Sequence, residues 1–203
     1  MARTASDFDV RHSASAALAY DVRPLERWGV LRLLLGDLSA DAIFRARTAT
    51  PLSVFFGKTL LSGDSFGLVY PDIVPGRPFY LDDFTVAGRR RINREAFAAP
   101  GSTGRPLARN ALRGFGMWQA DVGLRRRFTI TERVGLQLRA EVFNVFNHPS
   151  FGNPVGDLGS GLFGQSIQTL AGSLGSGGVN GGLSPAYQIG GTRSVQLALR
   201  LQF

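Results

Sequence analysis

The chain closes with RSVQLALRLQF (193–203), and this stretch decides how everything before it is read. From Val195 onward, Val195, Leu197, Leu199, Leu201 and Phe203 alternate with Gln196, Ala198, Arg200 and Gln202. Successive side chains on an extended backbone point to opposite faces, so this period predicts a strand with one apolar and one polar face. Roughly ten residues is the length a tilted strand needs to cross a bilayer, whereas strands of soluble sheets usually stop at about five or six.

Working outward, four more segments repeat the pattern. In Val10–Val22, Val10, Ala14, Ala16, Leu18, Tyr20 and Val22 share one parity, against Arg11, Ser13, Ser15 and Asp21. In Asp37–Thr48, Leu38, Ala40, Ala42, Phe44 and Ala46 oppose Asp37, Ser39, Asp41, Arg45 and Arg47. Trp118–Ile130 sets Trp118, Ala120, Val122, Leu124, Phe128 and Ile130 against Gln119, Asp121, Arg125 and Arg127. Val134–Phe146 sets Val134, Leu136, Leu138, Ala140 and Val142 against Gln137, Arg139 and Glu141. A soluble sandwich alternates in the same way, so pattern alone does not say which face meets lipid. Strand length favours a membrane barrel.

The connections point the same way. TITER (129–133) is a tight turn, and RPLERWGVLRLLLG (23–36) is a modest connection with room for one helical turn. Residues 49–116 and 147–192 are long and rich in Gly, Pro and Ser. Half of the 26 glycines fall between Gly152 and Gly191, a stretch that reads either as a mobile loop or as plain low complexity. Short turns alternating with long loops is the asymmetry of outer-membrane barrels, whose short turns face the periplasm. With Phe203 on the periplasmic side, counting back puts 147–192 and 49–116 outside, and 129–133 and 23–36 inside.

Composition narrows the classes further. The densest apolar run, Val30–Leu38, is broken by Arg32, Gly36 and Asp37, so no stretch has the eighteen or so apolar residues of a membrane helix. Cysteine is absent, which removes disulfides and thiolate metal sites. The net charge is +8, and Lys58 is the only lysine among 23 basic residues. Such a balance suits nucleic acid, anionic lipid or lipopolysaccharide. Arg77–Arg113 carries eight arginines against Asp82, Asp83 and Glu95. On an outer surface these could pair with lipopolysaccharide phosphates, but a solvated loop or internal salt bridges is the favoured reading. Phe79, Tyr80 and Phe84 precede the main arginine cluster without interleaving it, and no nucleic-acid module is recognisable.

No pattern of reactive residues survives comparison with its plainer explanation. GSGLFG (159–164) has the letters of a dinucleotide fingerprint, but no strand precedes it, no helical pattern follows, and no acid comes after Asp157. Asp7, Asp9 and His12, or Asp82 with Asp83, read as solvated or loop-capping groups before they read as metal ligands. His148 is explained by the turn it shares with Pro149, and two histidines without cysteine support no hydrolytic triad. No catalytic, cofactor-binding or metal-ligating residue is therefore assigned, and the chain is expected not to be an enzyme. Trp118, Phe143 and Phe146 near outer strand ends, and Tyr20 and Phe128 near inner ends, fit aromatic girdles. Arg126 sits on the apolar parity close to an inner end, where its guanidinium can snorkel to headgroups.

Several segments carry a family resemblance: SDFDVRHSASAALAYDV (6–22), LSADAIFRARTATPLSV (38–54), GRRRINREAFAAP (88–100) and LARNALRGFGMWQADVGLRRRFTITERVGLQLRAEVFNVFNHPSFGNP (107–154), with the terminal strand. They resemble the C-terminal barrel of TonB-dependent outer-membrane receptors, in particular the large Oar-like type with an N-terminal carboxypeptidase-regulatory-like domain. The most specific part is NALRGFGMWQ followed by AEVFNVFNHPSFGNP, where Asn144, Phe146, Asn147, His148 and Pro149 stand at the turn from a strand into an outer loop. The resemblance implies an all-β fold: an antiparallel transmembrane β-barrel segment of about five long strands with two long outer loops, an incomplete barrel. It implies an outer-membrane location and uptake of a large or scarce solute driven by the TonB complex. Implied partners are the rest of the barrel and its plug domain, TonB through an N-terminal part, outer-membrane lipid, and the barrel-assembly machinery through Val195–Phe203. Arg45, Arg47, Gln119, Asp121, Arg125, Arg139 and Glu141 would line the lumen against the plug. The opening MARTASDFDVRH has no apolar signal-peptide region, and no plug or TonB box is recognisable. Residues 1–203 are thus expected to be the C-terminal portion of such a receptor, from a truncated gene or a miscalled start. A soluble all-β binding module and a structural or adhesive outer-membrane barrel stay open as alternatives.

Overall fold

A computed structural model describes residues 5–22, 37–60, 66–173 and 189–203. The connection expected at 23–36 and the middle of the glycine-rich stretch lie outside them. The chain divides into two compact units, one built around Arg47–Met117 and the segment from Ser150, the other around the long strands.

The long-strand unit is one five-stranded sheet. Its strands, numbered along the chain, are β1 (Ser13–Asp21), β2 (Leu38–Arg47), β3 (Met117–Thr129), β4 (Gly135–Phe143) and β5 (Ser194–Gln202). Spatial order follows chain order, β1-β2-β3-β4-β5. Each is a neighbour of the next in sequence, which is the up-and-down arrangement that barrels use. The expected strands are therefore all present, β1, β2 and β4 shorter than expected and β3 and β5 displaced by one residue. β4 stops at Phe143 rather than Phe146 because Asn144 takes a left-handed φ of 52°, which ends an extended ladder. The turn after β3 closes through Thr131, whose N–H donates to the Val134 carbonyl at 3.1 Å while its hydroxyl accepts from the Val134 N–H.

Register keeps like faces together. Val122 lies opposite Val142, Leu124 opposite Ala140 and Phe128 opposite Leu136, and β4 continues the row with Leu138 opposite Leu199 and Ala140 opposite Leu197. On this face Leu197 is 77% and Leu199 67% exposed, while on the other Gln119 is only 3% exposed. The sheet thus leaves its apolar row exposed while Gln119 and Asp121 on the polar face are buried, the reverse of a soluble fold. A one-residue slip would exchange the two faces, so the apolar row itself holds the register.

The second unit gives defined structure to described parts of the long segment 49–116 and to residues 150–173. Short antiparallel pairs join Pro51–Leu52 to Leu112–Arg113, Asp72–Ile73 to Phe97–Ala98, and Tyr80–Asp82 to Arg90–Ile92. They enclose a core of Val54, Ile92, Ala96, Leu107, Leu112 and Phe163. Phe97 stacks on Phe79 at 5.6 Å between centroids and meets Phe163 edge-on at 6.1 Å. The glycine-rich stretch joins this core up to the helical turn Leu170–Ser173, burying Leu158, Phe163, Leu170 and Ala171. GSGLFG is part of it. Gly164, at φ 80°, accepts from the Ile92 N–H at 3.0 Å, and an added Cβ would stand 2.5 Å from the Ile92 carbonyl oxygen. The motif is a packing turn.

Asp72 pins this unit from inside. It is 2% exposed and accepts from the Thr103 and Gly104 N–H groups at 2.8 and 2.9 Å. The Thr103 N–H does most to hold its carboxyl below the ordinary value near 3.8, against the opposing effect of burial. A depressed native value means the folded unit binds fewer protons than the unfolded chain, so Asp72 stabilises above the ordinary carboxylate range. That contribution is lost as pH falls through the lowered native value. Asp72→Asn should therefore be less stable than wild type at neutral pH, with a flatter fall on acidification, as read by denaturant midpoints at a series of pH values.

Candidate functional site

The candidate site is the polar face of the long-strand sheet. Its centre is Asp121 on β3, 7% exposed. One carboxylate oxygen accepts from the Gln119 amide at 2.7 Å and from the Asn144 N–H at 2.9 Å, and the other from Arg45 of β2 at 3.1 Å. Gln119 in turn accepts from the Gly190 N–H at 2.8 Å, just ahead of β5. Asn144, 2% exposed, donates to the His148 carbonyl at 2.9 Å and the Gly191 carbonyl at 2.8 Å, and accepts from the His148 N–H at 3.0 Å. Four strand ends are thus tied together by one carboxylate and two amides.

Below this hub the face carries paired charges. Arg125 lies 3.9 Å from Asp41, and Arg139 meets Glu141 at 2.5 Å. Arg125 and Arg139 face each other directly across β3 and β4, an arrangement that costs stability unless acids flank it. Asp41 and Glu141 supply those acids. Of the residues expected on this face, Arg45, Gln119, Asp121, Arg125, Arg139 and Glu141 fall in one hydrogen-bonded and ion-paired field, and Arg47 closes β2. Asn144 was expected only as a turn residue. Its place as a hub carried one legible sign, an Asn at a strand end, where the left-handed region is open to it.

The aromatic girdle is partly different from the expected one. Trp118 stacks on His148 at 4.2 Å between ring centroids and lies 5.8 Å from Phe146 and 6.2 Å from Phe44, one cluster at the end of the sheet where β2 stops and β3 begins. Phe143 does not join it. Its parity is that of Glu141 and Arg139, and it is 7% exposed. Tyr20 is exposed as expected.

In the other unit, most arginines of 77–113 have partners within the protein. Arg77 pairs with Glu95, Arg91 with Asp83, Arg109 with Asp7 and Arg113 with Asp9. Arg90 lies between the Tyr80 and Phe115 rings, at 4.6 and 5.0 Å, and Arg94 donates to the Leu158 carbonyl. Asp7 and Asp9 therefore serve arginines. Among the described residues no group of His, Asp and Glu is placed to hold a metal ion.

A sheet with a polar, ion-paired inner face and an exposed apolar outer one needs a non-aqueous surround. Residues 1–176 match the family described as outer membrane beta barrel domain. The chain belongs to that family. No curated protein and no solved structure matches it. Outer-membrane location follows from the family, and it replaces the soluble binding module as a reading of the sheet. No described helix is long and apolar enough to cross a membrane, which for a barrel that crosses with strands is no obstacle.

Two measurements check this site. The chain has no cysteine, so single replacements report cleanly. A cysteine at Leu197 should react with a lipid-soluble maleimide in outer membranes, and one at Gln137 with a water-soluble reagent; exchanged reactivities would reverse the faces. Asn144→Ala removes three hydrogen bonds and keeps a Cβ at positive φ, so it should cost about 2–4 kcal/mol in detergent-solubilised protein. Asn144→Gly relieves only the backbone conformation and should recover about 1 kcal/mol of that.

Proposed function

We propose that this outer-membrane barrel protein belongs to a TonB-dependent receptor of the Oar-like type and takes part in energised uptake of a large or scarce solute. The observation that carries the reading is the resemblance of NALRGFGMWQ and AEVFNVFNHPSFGNP to such receptors. Supporting it, the polar face presents neither a bare channel wall nor a dry core. It holds ordered guanidinium–carboxylate pairs, the kind of surface that can hydrogen-bond a plug domain and release it at modest cost.

On this reading Arg45, Gln119, Asp121, Arg125, Arg139 and Glu141 face the plug and hydrate the transport path. The partners are the remaining barrel strands, the plug and the TonB complex. The barrel-assembly machinery would engage Val195–Phe203, and lipopolysaccharide would meet the outer face. Neither catalysis nor nucleic-acid binding forms part of it. The arginines of 77–113 weigh little in the lipopolysaccharide contact, because most of them already hold an acid, a ring or a carbonyl of the protein.

The test uses the product of the whole reading frame in its own outer membrane. The periplasmic domain of TonB should be captured by the receptor, and labelled solute uptake should stop when the proton-motive force is collapsed. Uptake indifferent to both, or a protein that never engages TonB, would favour a structural or adhesive barrel instead.

A further inference from the structure

Across the five strands, one charged residue occupies the apolar parity: Arg126 of β3. Its neighbours on that face are Leu124 and Phe128 along the strand and Leu138 directly across on β4. The guanidinium carbon lies 4.2 Å from the centroid of the Phe128 ring. Arg126 lines a groove of about 450 Å³ with Leu38, Leu124, Leu138, Leu197 and Leu199, to which Arg125, Arg139, Ala140 and Ala198 also contribute.

In an outer-membrane barrel this face meets lipid, so the occupant of the groove is a lipid. Which lipid is set by the charge and its depth. Arg126 stands three residues before the end of β3, about 10 Å along the strand and about 7 Å in depth for a tilt near 45°. Its long side chain spans that distance to the headgroup layer. Contact with the Phe128 ring steadies the cation, and a phosphate offers oxygens at the spacing of the guanidinium fork. The groove that Arg126 lines also carries Leu124, Leu138, Leu197 and Leu199, apolar side chains of the kind an acyl chain packs against.

We propose that Arg126 and the leucine groove form a binding site for an anionic glycerophospholipid such as phosphatidylglycerol. The site lies toward the tight turn at 130–134. Short turns of these barrels face the periplasm, where the bordering leaflet is phospholipid rather than lipopolysaccharide. A net-anionic headgroup is preferred to phosphatidylethanolamine because it brings no ammonium next to Arg126. The site does not depend on TonB coupling, since it uses only the outer face of the barrel.

The test is native mass spectrometry of the whole protein extracted from outer membranes, delipidated and titrated with phosphatidylglycerol, phosphatidylethanolamine or lipid A. Wild type should retain phosphatidylglycerol in preference to both others. Arg126→Leu should weaken that retention about tenfold or more, with uptake and TonB capture unchanged. Arg126→Lys, which keeps charge without the fork, should fall between. Arg133→Gln, in the turn at the same end, should match wild type. Leu199→Trp fills the groove while leaving Arg126 in place and should also lower retention, which keeps the test intact if Arg126→Leu fails to fold. Equal retention by wild type and the folded variants, or preference for lipid A, would overturn the proposal.

Discussion

A peptide group inside hydrocarbon finds no water, so every N–H and C=O must be paired within the protein or pay several kcal/mol. The ladder from β1 to β5 answers that constraint, and the remaining features of the long-strand unit follow from it. A continuous ladder forces period-two alternation, and alternation allows one face to be wholly apolar. The other face is then free to hold charge, because it is screened from lipid by the sheet itself. The edges β1 and β5 carry the cost. Their outward N–H and C=O groups need neighbouring strands before the sheet can span a bilayer.

The same constraint explains why the polar hub sits where it does. Strand ends are where ladder pairing runs out; Asn144 directly follows β4, and Gly190 lies in the turn before β5. Asp121, Gln119 and Asn144 supply side-chain partners there, accepting the backbone N–H groups of Asn144 and Gly190 and donating to the carbonyls of His148 and Gly191. The hub is therefore an extension of the ladder by side chains. Its burial makes it stiff as well as strong, since an unmet donor at this depth would cost about 1–3 kcal/mol.

How much of this was legible depends on distance along the chain. β1 to β5 were readable because each strand carries its own period, so Leu197 and Leu199, or Gln119 and Asp121, declare their faces locally. The second unit was not. Val54, Ile92, Leu107 and Phe163 share a core but no period, and they meet only through contacts between residues far apart in the chain. Glycine content misled for the same reason: Gly164 marks a close approach to Ile92, which a sequence cannot distinguish from a flexible loop. Phe143 was misplaced by letting its aromatic character outweigh its parity, although parity with Glu141 already set its face.

Arg126 shows the limit of parity as an argument and also its use. A charge on the lipid face costs about 2–4 kcal/mol at mid-membrane and about 0–1 near the interface, so the pattern tolerates it at this depth without requiring any function. Tolerance does not explain a groove, however. A residue that merely snorkelled would need only open headgroup space, whereas here the cation stands beside Phe128 and lines a recess together with leucines of β2, β3, β4 and β5. The charge and the apolar groove match the headgroup and the acyl chain of one lipid molecule. A single break in the alternation thus carries more chemical information than the residues that obey it.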